Sequence, residues 1–207
     1  MRNERLLKLY EAFEPEITKA LESFQDVRRH PSRVWEEMVF CLCTPQTRAR
    51  SALKAVEMLR SSGLLEKPDV SETANVLRRC GVRFHKTKAR YIAEAFKNFH
   101  QVLKLIENCG DVYRLRDSLV GSVKGMGMKE ASHFLRNIGF DGVAIIDRHV
   151  LNYLSAVGVV RRKPKTITRK QYLMLERRFK KCAEKAGLNP SVLDLVVWAN
   201  ATGEVLK

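Results

Sequence analysis

The chain has 207 residues, 45% of them hydrophobic, enough to bury a core and too apolar for a disordered, charge-dominated segment. Lys and Arg number 38 against 23 Asp and Glu. The resulting formal charge of +15 favours a polyanionic partner, with nucleic acid ahead of an anionic membrane surface and a merely basic soluble protein as the bland alternative. The opening MRNERLLKLYEAFEPEITKA mixes charged and apolar residues at helical spacing, unlike a secretion signal. No later stretch is apolar for long enough to span a membrane, so a soluble intracellular protein is expected. Five cysteines (Cys41, Cys43, Cys80, Cys109 and Cys182) form no framework, which predicts reduced, mostly buried thiols and no iron–sulfur cluster. No His, Cys or carboxylate set has zinc spacing, so the metal expectation is none.

Taken in chain order, the apolar periodicity predicts helices over 3–24, 32–43, 47–62, 71–80, 87–107, 111–121, 129–138, 148–157, 169–187 and 190–201, an all-α protein. Ser71, after Glu66, Lys67 and Pro68, is read as opening one helix, and Asn189-Pro190 as opening the last. Gly187 and Gly203 stand where helices stop. The run Val143-Ala144-Ile145-Ile146, bounded by turn residues, reads as a buried loop crossing the core. Residues 161–170, RRKPKTITRK, read as a basic connection that is solvated or touches phosphate.

The most informative stretch lies around 119–135. A helix ends near Gly121, Gly125-Met126-Gly127 permits a tight turn with exposed amides, and a new helix begins near Met128. Amides at a helix start seat a DNA phosphate, and Met126 would plug the space between the two helices. An ordinary helix–helix connection containing glycine is the plainer alternative.

The segment VKGMGMKEA (123–131) resembles the hairpin of the helix-hairpin-helix DNA glycosylase superfamily, and GFDGVAIIDRHV (139–150) resembles the loop that delivers its aspartate. Lys129 and Asp147 stand eighteen residues apart, a spacing similar to that superfamily's. FCLCTPQT (40–47) and GVRFHKTKARYI (81–92) extend the likeness over most of residues 35–157. The ending WANATGEVLK (198–207) and the short chain resemble the archaeal-type 8-oxoguanine DNA glycosylase/lyase family. The resemblance implies one glycosylase unit over 1–207, with two helical lobes, the active-site cleft between them, the hairpin at 116–138 and the aspartate loop at 139–150. It also implies a monomer acting on double-stranded DNA that contains oxidised guanine, cytoplasmic and chromosome-associated, with no required cofactor but room for a monovalent cation at the hairpin.

Breaking an N-glycosidic bond builds positive charge on the sugar, which a carboxylate stabilises while a neutral amine attacks the anomeric carbon. Lys129, in a first helical turn, is the candidate nucleophile, since the helix dipole and partial burial both favour its free amine. Asp147 is the candidate carboxylate. Taken alone, Lys129 would be a solvated surface charge and Asp147 an N-cap worth about 1 kcal/mol.

Base extrusion requires something to fill the duplex and something to stack on the base. Gln46 resembles the superfamily's gap-filling residue; otherwise it is a polar helix-start residue. Phe84, in a loop, is a wedge or stacking candidate with core packing as its alternative. Trp198 sits in an apolar helix and reads as core unless the resemblance makes it a stacking surface. The resemblance implies that the α-carboxylate at Lys207 accepts from a purine's N1–H and exocyclic amine, with a frayed terminus as the plainer alternative. His149 is expected on the phosphate side or packed, as is His133, and Gly125 and Gly127 are expected at phosphate. Two other readings stay open: a glycosylase of the same fold for another base such as an oxidised pyrimidine, and a non-enzymatic hairpin module in which Lys129 only touches phosphate.

Overall fold

A computed structural model describes the backbone of residues 2–206 and the side chains of residues 6–206. Eleven helices and no strand occur among the described residues, all-α as the periodicity predicts but one helix more than the ten expected. They are α1 (Arg2–Val27), α2 (Pro31–Cys43), α3 (Ala49–Ser61), α4 (Val70–Arg79), α5 (His85–Lys97), α6 (Phe99–Glu107), α7 (Val112–Ser122), α8 (Met128–Asn137), α9 (Arg148–Ala156), α10 (Arg169–Lys185) and α11 (Pro190–Thr202). No helix among the described residues is long and apolar enough to cross a membrane.

Beyond shifts of a few residues at helix ends, two differences from the sequence expectation have a structural cause. The helix expected over 87–107 is broken at Asn98, whose φ of −104° and ψ of 6° serve α5 as C-cap and α6 as N-cap. The break lets Phe96 and Phe99 both meet Trp35, with ring centroids 5.4 and 5.1 Å away. The α4 cap is Asp69 rather than Ser71: its carboxylate accepts the Glu72 N–H at 2.8 Å. A carboxylate outcompetes a hydroxyl here because it also meets the positive end of the helix dipole.

The helices divide into two compact units, one of residues 27–134 and one of α1 through Asp26 with residues from Leu135 onward. In the first, α2 is the core helix. Val34, Met38, Phe40 and Leu42 are buried on it, and α3 and α5, which pack against it, bury Leu59 and Ile92. The Trp35 indole N–H donates to the Leu65 carbonyl at 3.0 Å, so its one donor is satisfied inside. The hairpin of α7 and α8 belongs to this unit as far as Phe134. It is braced by buried Arg116, whose guanidinium donates to Ser132 Oγ at 3.1 Å.

In the second unit, α11 contributes Leu193, Leu195, Val196 and Val197, α9 Val150 and Leu154, and α10 Leu175 and Phe179. Through this core runs the expected buried loop, Val143–Ile146. It has no neighbouring strand to satisfy its backbone, so side chains of α10 do so. Ala144 N–H donates to Glu176 Oε1 at 2.8 Å, Ile146 N–H to the Tyr172 hydroxyl at 3.2 Å, and that hydroxyl donates to the Ala144 carbonyl at 2.7 Å. The Gly142 carbonyl accepts from Lys180, and Ser191 donates to Asp141 at 3.2 Å. At the loop's start Gly139 lies against α1 with φ of +80°, where a Cβ would come within 2.7 Å of the Gln25 Cα. Every polar anchor of this loop serves one end: it fixes the position of Asp147.

Candidate functional site

Asp147 caps α9. Its Oδ1 accepts the N–H groups of His149 and Val150, each at 2.8 Å, while its own N–H donates to the Ile145 carbonyl at 3.0 Å. Both side-chain bonds fall on one oxygen, so Oδ2 has no hydrogen bond among the described residues. Capping therefore leaves half of the carboxylate available for chemistry. His149, the second residue of α9, is half-buried, its ring 5.0 Å from that of Trp198 and edge-on to it. Burial pushes His149 below the usual histidine value, with Arg148 adding to that effect and Asp147 opposing it. The neutral ring accepts from Arg148 Nε at 3.1 Å. Trp198 is partly exposed, and its indole N–H makes no hydrogen bond among the described residues. A recess of about 330 Å³ in the same unit is lined by His149, Tyr153, Val197 and Leu6 among others, but not by Trp198. Lys207 lies outside the described residues.

In the other unit, Lys129 is the second residue of α8. Its side chain is 27% exposed, with Nζ 3.4 Å from Thr44 Oγ1 and 3.7 Å from Glu130 Oε1. Thr44 ends α2, and its hydroxyl donates to the Cys41 carbonyl at 2.9 Å. Preceding α8, Met126 is buried and its N–H donates to the Val123 carbonyl at 3.1 Å, as a plug between the hairpin helices should be. Gly125 has φ of +84° and touches Tyr91: a Cβ there would stand 2.4 Å from Tyr91 Cδ2. Lys124 is tied to Glu94 at 2.8 Å, which fixes the turn to α5.

The turn after Thr44 carries Gln46, and the turn before α5 carries Phe84. Both are exposed, Phe84 to 56%. Gln46 has φ of 54° and Phe84 of 56°, and among the described residues they are the non-glycine positions with positive φ. Left-handed backbone costs an ordinary residue about 1–2 kcal/mol and persists only where surrounding contacts impose it. Here the strain falls on the two side chains singled out as duplex-filling and wedging candidates.

The turn that carries Gln46 is tied to Lys88, which sequence reasoning left unassigned. This lysine is only 4% exposed. Nζ donates to the Cys43 carbonyl at 2.7 Å, the Pro45 carbonyl at 2.8 Å and Thr47 Oγ1 at 3.1 Å. Burial lowers it to about 8, against the raising influence of Cys43 and Glu130. Thr47 Oγ1 also accepts the Arg83 N–H at 3.2 Å, joining the two turns. The signal available in the sequence was the position of Lys88 within GVRFHKTKARYI, four residues after Phe84. His133 is packed edge-on against Phe40, with centroids 5.5 Å apart, as expected for a core histidine.

A family model described as 8-oxoguanine DNA glycosylase matches residues 17–188. A relative from Korarchaeum cryptofilum named 8-oxoguanine DNA glycosylase/AP lyase is 40% identical, over 86% of this chain and 85% of its own. One of the same name from Methanocaldococcus jannaschii is 37% identical, over 92% and 91%. Among solved structures, the 8-oxoguanine glycosylase/lyase of Methanocaldococcus jannaschii in complex with a 15mer DNA containing 8-oxoguanine superposes with a TM-score of 0.93 at 31% identity, over 100% of both chains. The 8-oxoguanine DNA glycosylase of Thermotoga maritima gives a TM-score of 0.91 at 31% identity, over 99% of this chain and 98% of that one.

Proposed function

The chain belongs to the 8-oxoguanine DNA glycosylase family, and from that premise we propose that it excises 8-oxoguanine from double-stranded DNA and then cleaves the strand, with Lys129 as nucleophile and Asp147 as its carboxylate partner. The observation that carries the assignment of the nucleophile is the placement of Lys129 Nζ, part-buried in the first turn after the hairpin and beside the Thr44 hydroxyl. Asp147 complements it in kind: an anchored carboxylate with one oxygen committed to α9 and the other unengaged among the described residues.

The chemistry balances without an added reactant other than water. The Lys129 lone pair forms a bond to C1′ as the C1′–N9 electrons leave with the purine, which takes up a proton. Asp147 stabilises the positive charge that develops on the sugar and accepts the proton the lysine sheds. Opening of the sugar ring gives a protonated Schiff base, loss of a C2′ proton expels the 3′ phosphate, and water then frees the lysine. Gly125 and Gly127 bring hairpin amides to a phosphate, Gln46 and Phe84 enter the duplex, and Trp198 offers a face to the extruded base. Val120, Gly121 and Val123 line a shallow concavity with Gly125–Gly127, where the carbonyls of a helix end lose their partners. That donor chemistry fits a monovalent cation, which would help hold a phosphate.

Borohydride reduction of a reaction with 8-oxoguanine duplex tests the assignment. The wild-type chain is expected to give a covalent protein–DNA adduct and Lys129→Gln none. An adduct retained by the variant would place the nucleophile on another lysine. Faster trapping on an oxidised pyrimidine would reassign the base, and binding without any adduct would reduce the protein to a hairpin DNA-binding module.

A further inference from the structure

We propose that Lys88 is a positioning residue that locks Gln46 and Phe84 into a single preformed wedge, so that the two side chains enter the duplex together. The proposal rests on the reading of those two residues given above. It starts from a cost that something must justify: an ammonium taken out of water at 4% exposure, where an apolar side chain of the same length would fill the space without penalty. What an apolar side chain lacks is three donors. Lys88 spends them on Cys43 and Pro45 carbonyls and on Thr47 Oγ1, which flank Gln46 on both sides. Thr47 Oγ1 in turn takes the N–H of Arg83, the residue before Phe84. One buried cation and one hydroxyl thus tie together the two turns, and each turn holds its exposed residue in left-handed backbone.

The connection reaches the chemistry by one more step. Thr44, at the head of the same turn, is the residue whose hydroxyl Lys129 approaches at 3.4 Å. Fixing the turn fixes both what fills the duplex and what touches the nucleophile. Extrusion of a base leaves a hole that must be filled before the base can fall back. Two side chains held in register supply that filling without first being ordered, the benefit of preorganisation.

The test uses the full chain in three backgrounds. Lys88→Met removes the donors and keeps the apolar stem, Thr47→Val removes only the shared hydroxyl, and Gln46→Ala with Phe84→Ala removes the wedge. Single-turnover release of 8-oxoguanine from duplex is measured beside strand cleavage at a preformed abasic site, where no base remains to be unstacked. Lys88→Met is expected to slow base release about ten- to a hundredfold, with a smaller loss at the abasic site and the loss in rate rather than in KM. Thr47→Val should lose in the same direction by less. In the wedge-less background Lys88→Met should lose no more than the small factor it loses at the abasic site, because groups acting as one unit are not additive. An equal loss with and without the wedge overturns the proposal, as does unchanged base release in either variant. Should Lys88→Met fail to fold, by far-UV circular dichroism, Thr47→Val decides alone on the same criteria. If wild-type protein gives neither base release nor a trapped adduct, the underlying reading falls as well; if it gives both, only the wedge is in question.

Discussion

Lys129 and Asp147 stand at the openings of two helices and meet opposite demands there. The carboxylate is where a helix wants one: Asp147 Oδ1 takes two amide hydrogens of α9. Asn in its place keeps an acceptor for those amides and loses the charge. Asp147→Asn is therefore expected to melt at nearly the wild-type temperature while its single-turnover rate of base release falls about 10²–10³-fold, the scale on which preorganised electrostatic groups act. A collapse in stability with the rate retained would reduce Asp147 to a cap. Lys88 gives a second prediction. Buried, it falls to about 8 from the ordinary 10.5, so between those values the unfolded chain holds a proton that the folded chain has released. Stability must then rise with pH across that window. The buried Cys43 thiol, pushed up to about 12 from 9.0, acts in the opposite direction above pH 9. Denaturant unfolding should show the stability of wild type relative to Lys88→Met increasing from below pH 8 to pH 9, and a flat difference would contradict the burial-lowered amine. The sequence made Lys129 and Asp147 legible because each sits in a local pattern that needs its chemistry. It hid Thr44 and Lys88 as partners because their contacts close over 85 and 45 residues of chain.

At the scale of elements, the hairpin separates its two glycines. Gly125 combines φ of +84° with a Tyr91 ring 2.4 Å from where a Cβ would stand, whereas Gly127 would meet only Glu130 Oε2 at 3.1 Å, the tip of a flexible side chain. Gly125→Ala should cost about 1–3 kcal/mol in unfolding free energy, combining left-handed strain with a displaced ring. It should also weaken binding to damaged and undamaged duplex alike, since phosphate contacts carry no lesion information. Gly127→Ala should be milder on both measures; equal effects would mean that the turn yields as a whole. The helix pattern was legible for almost every element because buried positions repeat at the helical period. What periodicity does not encode is where a helix must break for tertiary reasons. The apolar stripe continues through Asn98, and only the Trp35 ring, 61 residues away from Phe96 in the chain, explains why α5 and α6 part there. The loop at 143–146 was readable as buried, but its anchors Tyr172 and Glu176 lie about thirty residues downstream and left no mark on its own composition.

For the molecule as a whole, charge is distributed unevenly. Residues 161–185 hold eleven Lys and Arg against two acids, Glu176 and Glu184. Glu176 is buried and committed to the Ala144 amide, so its carboxylate does little to offset the exposed cations of this stretch. Arg161, Arg162 and Lys163 are exposed, and Lys163 is held by Asn152 Oδ1 at 2.9 Å. A protein that meets DNA through such groups displaces condensed cations from the phosphates. The logarithm of its affinity should fall linearly with the logarithm of salt concentration, by about 0.9 per phosphate neutralised. Binding to undamaged duplex, measured by fluorescence anisotropy across a salt series, is expected to show a slope corresponding to several contacts. Replacing Arg161, Arg162, Lys163 and Lys165 together by Gln resolves whether this segment supplies any of them. If it touches the duplex, the slope becomes shallower by about one for each contact removed, while the rate of base release from already bound DNA stays as it was. If the segment is only solvated, slope and affinity stay close to wild type and the hairpin with its neighbours must supply the contacts. A wild-type slope near zero would contradict a phosphate-dominated interface altogether, because no arrangement of these cations on DNA can avoid releasing counterions.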